Sequence, residues 1–232
     1  MTFQEMNNPY FVSMKEALDE AAKSLGAEVV VTDAGHDVAK QISDVEDMLQ
    51  QKIDILLLNP TDSAGVEAAV NAAKAQDVIV VAVDANANGP VDTFVGSKNK
   101  DAGYQSCKAL GEALSGEGEV AILDGIPVVP ILQRVEGCKE ALAEFKGIKL
   151  VDTQNGRQDR SVALGVVENM LQSRPNLKGI FSVNDGGAMG ALAAIQGSGR
   201  DVKLTSVDGA PEAVKAIADG TPFIQTTAQF PR

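Results

Sequence analysis

Tryptophan is absent from the 232 residues, histidine occurs once, cysteine twice, and aromatic side chains make up only 4%. The core must therefore be aliphatic, filled by Val, Ile, Leu and Ala. Cys107 and Cys138 form no CxxC pair and have no histidine near them, so zinc sites and thioredoxin-like chemistry lack support. They are expected to be two small, partly buried thiols on helices; whether they pair cannot be read from their spacing. The lone His36 sits in the loop DAGHD, where a solvated residue is expected rather than a base or a metal ligand. Positive charge is also scarce: 20 Lys and Arg against 32 Asp and Glu give a net charge of −12. Such a surface repels phosphate backbones and anionic membranes, which excludes nucleic acid as a partner. No apolar run reaches the ~18 residues of a membrane-crossing helix. The opening MTFQEMNNPYF has neither the basic nor the apolar region of a signal peptide.

Enzyme signatures are missing as well. There is no GxSxG elbow and no P-loop. The glycines of Asn184-Asp185-Gly186-Gly187-Ala188-Met189-Gly190 open a helix after a strand, but their spacing is not that of a dinucleotide fingerprint. No catalytic residue, metal or cofactor is expected.

What is present is a regular alternation of strand and helix. Asn8-Pro9 reads as an N-cap with proline at the first helical position, followed by an apolar face at Phe11, Met14, Leu18, Ala21 and Leu25 and a stop at Gly26. AEVVVT (27–32), IDILLL (53–58), VIVVAV (78–83), EVAIL (119–123), IKLVD (148–152), GIFSV (179–183), VKLTSV (202–207) and FIQTT (223–227) read as strands, with helical patterns between them. Continuous apolar runs of this kind predict parallel strands covered on both faces. The strand count favours two lobes over one sheet. The first lobe is placed at 1–97 plus 229–232 and the second at 98–228, joined by short hinge strands.

In open parallel sheets, ligands bind beyond the carboxyl ends of the strands. Asn59, Asp84, Asn184 and Asp208 each directly follow an apolar strand. A carboxylate accepts strongly from hydroxyl groups, and an amide both donates and accepts. Tyr10 and Phe11 could add a flat apolar wall for the carbon face of a ring. Turn-forming and capping would explain any one of these residues alone; the set of four with an aromatic pair points to a site for a hydroxylated ligand.

The segments MNNPYFVSMKEALDEAAKSLGAEVVVTDA, LLLNPTDSAGVEAAVNAA, VIVVAVD, FSVNDGGAMGALAAI and SVDGAPEAVKAIADG resemble the ribose-type periplasmic sugar-binding proteins, over essentially the whole chain. The resemblance implies two Rossmann-like lobes with a sugar clamped between them by hinge closure, docking on an ABC transporter permease, a periplasmic or other extracytoplasmic location, and no covalent chemistry. A monomer is expected. Carried over by position, Asn8, Tyr10, Phe11, Asn59 and Asp84 would contact the ligand from the first lobe, Asn184 and Asp208 from the second, and Gln229 from a hinge. A LacI-type transcriptional regulator shares this fold; it would need a basic helix-turn-helix, which the sequence does not contain.

Three positions depart from the pattern. Ala85 follows the aspartate where the ribose binders have arginine, Leu132 stands in place of a second arginine, and Gln158 in place of an aromatic wall. Charge-assisted bonds are the strong ones, on the order of 1.5–3 kcal/mol each, so their loss points away from ribose itself. Asp84 and Asp208 disfavour an anionic ligand. A small neutral sugar or polyol with one apolar face is expected. Only Thr2-Phe3-Gln4 remains of the family's first strand, and the family continues past AQFP, so the chain is expected to be a fragment truncated at both ends.

Overall fold

A computed structural model describes residues 1–229. The chain divides into two compact units. The first comprises Met1–Ser97 with Pro127–Pro130; the second comprises 98–126 and, of the described residues, 131–229.

In the first unit the elements are β1 (Thr2–Phe3), α1 (Pro9–Leu25), β2 (Thr32–Asp33), α2 (Val38–Gln50), β3 (Ile55–Leu58), α3 (Glu67–Lys74), β4 (Ile79–Val83) and β5 (Thr93–Val95). The strands pair in parallel in the order β2-β1-β3-β4-β5. Alternate residues point to opposite faces. Leu56, Leu58 and Val80 pack with Val45, Met48 and Leu49 of α2 and Val70 and Ala73 of α3. Leu57 and Val83 belong instead to a cluster with Phe3, Phe11, Met14 and Leu18, which places α1 on the other face. The start of α1 follows the capping rule: Asn8 accepts from the Tyr10 N–H, Pro9 opens the helix, and Gly26 closes it at φ 67°.

The second unit continues with α4 (Asn99–Ala113), β6 (Glu117–Asp124), α5 (Val129–Ala143), β7 (Gly147–Asn155), α6 (Arg160–Ser173), β8 (Leu177–Ser182), α7 (Asp185–Ser198), β9 (Lys203–Asp208), α8 (Pro211–Ala218) and β10 (Phe223–Ala228). Its sheet is also parallel, in the order β10-β9-β8-β6-β7. Ala121, Leu123, Ile180 and Leu204 form one core with the inner faces of α6, α7 and α8. The opposite face carries α4: a side chain at Gly179 would press on Leu110 and Leu114 of that helix, and Ser106 donates to the Ser206 carbonyl.

The structure differs from the sequence-based expectation in three places. Of AEVVVT only the end is strand, because the neighbouring β1 is two residues long and reaches only Thr32 and Asp33. Cys107 and Cys138 are not free thiols but a disulfide between α4 and α5, with Cα atoms 4.9 Å apart and both residues fully buried. Their spacing of 31 residues gave no sign of this, because a helix, a strand and a turn intervene. Gln229, assigned by sequence to the first lobe, groups with the second unit, where its N–H and side-chain amide both bond Asp208; the remainder of that assignment, 230–232, lies outside the described residues.

Candidate ligand-binding residues

Each unit carries polar side chains at the carboxyl ends of its strands. In the first, Asn59 is completely buried one residue past β3. Its Oδ1 accepts from the Gln4 N–H at 3.1 Å and its Nδ2 donates to the Val83 carbonyl at 3.2 Å. The amide therefore ties the ends of β1 and β4 to β3, and retains one N–H and one lone pair for another partner. Asp84 follows β4 with φ 64°, and its N–H donates to the Val95 carbonyl at 2.7 Å. Left-handed backbone at a non-glycine residue is uncommon, and it collects at binding sites. Ala85 beside it is 1% exposed, so no long side chain extends from that position.

Asn8, Tyr10 and Phe11 come together at the start of α1. Glu5 accepts from the N–H groups of Asn7 and Asn8, which fixes the turn ahead of the helix. The Tyr10 and Phe11 rings meet edge to face, centroids 5.3 Å apart. Phe11 is buried against Phe3, whereas Tyr10 is half-buried. The two rings thus form a stepped wall with Phe11 anchored in the core.

In the second unit, Asn184 follows β8 and caps α7, its Oδ1 accepting from the Gly187 N–H at 2.9 Å and its Nδ2 donating to the Gln158 carbonyl at 3.3 Å. Asp208 ends β9 at φ 139° and accepts from four groups. Gln229 Nε2 and Arg134 Nη1 donate to its Oδ1 at 2.7 and 3.2 Å, the Asp185 N–H donates to its Oδ2 at 3.2 Å, and its backbone carbonyl receives the Gln229 N–H. Gln229 Oε1 is a buried acceptor with no partner among the described residues.

Gln158 has another task. At φ 59°, its Oε1 accepts from the Ile126 N–H, while Asn155 Nδ2 donates to the Gly125 carbonyl. These bonds stitch the loop after β7 to the loop after β6. Leu132 lies in the first turns of α5 and is 56% exposed, an apolar surface where a charged side chain would stand in solvent.

Two functional-looking residues escaped the sequence reading. Arg134 is 3% exposed and donates to Asn99, Val183 and Asp208. Asp185 accepts from the hydroxyls of Ser206 and Thr226 and from the Ala210 N–H. Burial, and then the Asp208 carboxylate beside it, push the Asp185 carboxyl up to about 6. Burial likewise raises Asp208, partly countered by Arg134. Arg134 could have been flagged by its place on the face shared with Cys138 four residues on; Asp185 had no signal apart from the doublet with Asn184.

Among the described residues there is no cluster of side chains able to hold a metal ion, and no helix is long and apolar enough to cross a membrane.

The comparisons agree with this geometry. The family model described as "Periplasmic binding protein domain" matches residues 1–232. The chain is 38% identical to the ribose import binding protein of Bacillus subtilis, over all of this chain and 75% of that one. Among solved structures, an ABC transporter solute-binding protein of Mycobacterium smegmatis with bound glycerol superposes with a TM-score of 0.94 at 32% identity, over 99% of this chain and 81% of that one. A periplasmic solute-binding protein of Actinobacillus succinogenes with bound D-allose gives 0.90 at 30%, over 99% and 84%. With parallel sheets flanked by helices in both units and polar residues gathered at their strand ends, the chain belongs to the periplasmic binding protein family.

Proposed function

We propose that this protein is the solute-binding component of an ABC import system and takes a small neutral sugar or polyol without changing it chemically. The observation that carries the proposal is the matched pair of strand-end sets. Asn59 with Asp84 stands in one unit, and Asn184 with Asp208 and Gln229 in the other. Backbone bonds hold them in place, and Asn59 and Gln229 keep hydrogen-bonding capacity in hand. Preorganised acceptors and amides suit hydroxyl groups, since little ordering is left to be done on binding. Asn8, Tyr10 and Phe11 would supply the apolar wall of the first half-site, and Leu132 that of the second.

Both half-sites would serve one ligand, with hinge closure favoured by tighter binding to the closed form. An ABC permease would read that form, and the receptor would act as a monomer. The carboxylates disfavour a phosphorylated or acidic ligand. Ala85 and Leu132, short and apolar, leave the site without the arginines of the ribose binders, so a ligand less demanding than ribose is favoured. A buried disulfide fits an oxidising, extracytoplasmic compartment.

A thermal-shift panel of pentoses, hexoses, deoxy sugars and polyols tests the reading. A ligand at 100 times its Kd stabilises the folded form by about 2.7 kcal/mol and raises the melting point. At least one neutral compound should do so. No shift with any of them, or a shift only with a sugar phosphate, contradicts the proposal.

A further inference from the structure

We infer that Arg134 is a positioning residue for the second half-site, and that the Cys107–Cys138 disulfide is the latch that keeps it in register. The inference rests on the proposed role of Asn184 and Asp208 as ligand contacts.

The guanidinium is buried and fully directed at protein. Nε donates to Asn99 Oδ1 at 2.9 Å, and Nη1 donates to the Val183 carbonyl at 2.8 Å and to Asp208 Oδ1 at 3.2 Å. These acceptors lie on three elements: the start of α4, the end of β8 and the end of β9. A planar fork of fixed geometry sets the relative placement of all three. Val183 immediately precedes Asn184, so both second-unit ligand residues are referred to one side chain on α5.

The placement of Arg134 depends in turn on how α5 lies across α4. The two helices cross backbone to backbone. A Cβ at Gly103 would come within 2.0 Å of the Arg134 carbonyl oxygen, and one at Gly137 within 2.0 Å of the Lys100 carbonyl oxygen. Such a crossing has no interlocking side chains at its centre to resist sliding. Around it, Lys100 pairs with Glu136 and Glu140, and Lys108 with Glu144, all exposed. Exposed pairs of this kind contribute little. The disulfide is different: it is covalent and buried, and it lies one helical turn beyond Gly103 on α4 and one turn beyond Arg134 on α5. It fixes the register that the glycines leave loose.

A purely structural disulfide would change stability and leave affinity alone in the folded protein. The two roles separate in a cycle of four proteins: the native chain, C107A/C138A, R134K, and all three substitutions together. Calorimetry with D-allose and with xylitol reads affinity at a temperature where circular dichroism shows each protein folded. Carboxyl-carbon NMR reads the apparent titration midpoint of Asp208 without any ligand. Removing the disulfide should weaken binding by about three- to tenfold and raise the Asp208 midpoint as Arg134 moves away. In the R134K background, where lysine cannot span three acceptors, removing the disulfide should add nothing. An unchanged midpoint and affinity in C107A/C138A, or the same change in both backgrounds, overturns the inference. Reduced native protein repeats the comparison should the double variant not fold. If the native chain binds neither probe, the proposed ligand class has failed, and the Asp208 midpoint alone decides the positioning role.

Discussion

Asp185→Asn should flatten the pH dependence of stability in the second unit. The native carboxyl is buried at the start of α7, beside the Asp208 carboxylate, and it accepts from Ser206, Thr226 and the Ala210 N–H, all of them neutral donors. Burial and the neighbouring charge raise it from 3.8 to about 6, so the folded state binds this proton more tightly than the unfolded state does. The resulting stabilisation is complete below about pH 4, where both states are protonated, and is lost as pH rises through about 6. At about 1.36 kcal/mol for each tenfold change in proton affinity, a rise from 3.8 to about 6 puts the loss on the order of 3 kcal/mol. The two carboxylates titrate as a pair, so removing Asp185 also lowers Asp208 toward its ordinary range. Asparagine keeps an oxygen for the two hydroxyls but turns an amide N–H toward the Ala210 N–H, at the loss of one bond. Absolute stability at neutral pH should therefore change little, while the slope between pH 4 and 6 should shrink. Urea unfolding of both proteins at half-unit intervals across that window measures it. Parallel stability curves for native and D185N would refute the placement of the protonation at this carboxyl.

Two further outcomes follow from the packing. Reducing the Cys107–Cys138 link opens a loop spanning a separation of 31 residues; loop-closure entropy puts its contribution at about 3.7 kcal/mol, which should lower the melting point by about 10 °C in a scan with and without reductant. Asn184→Ala removes the α7 cap as well as a ligand contact, so denaturant unfolding should show a loss of about 1 kcal/mol and calorimetry an affinity loss of tenfold or more.

Much of this molecule was legible in the sequence because its strands are apolar runs with sharp ends. IDILLL, VIVVAV, GIFSV and VKLTSV all form strands, and each is followed by the polar residue expected of a parallel sheet's open end. The cap at Asn8-Pro9 and the stop at Gly26 fall where local rules put them. The misreadings share a cause: they turn on contacts between distant residues. AEVVVT has the composition of a full strand but only a two-residue neighbour. Cys107 and Cys138 meet because α4 and α5 cross at glycines. Arg134 reads as a surface helix residue until its three acceptors, contributed by α4, β8 and β9, converge on it. Gln158 reads as a ligand contact, yet its acceptor oxygen is engaged by the Ile126 N–H.

The most direct test of the receptor reading is calorimetric titration of the native protein, D84N and D208N with D-allose, xylitol, glycerol and ribose 5-phosphate. A receptor for neutral hydroxylated ligands should bind at least one neutral compound one-to-one, lose about tenfold or more in each variant, and leave the phosphate unbound. Tight binding of the phosphate, or neutral-ligand affinity unchanged in both variants, would contradict it.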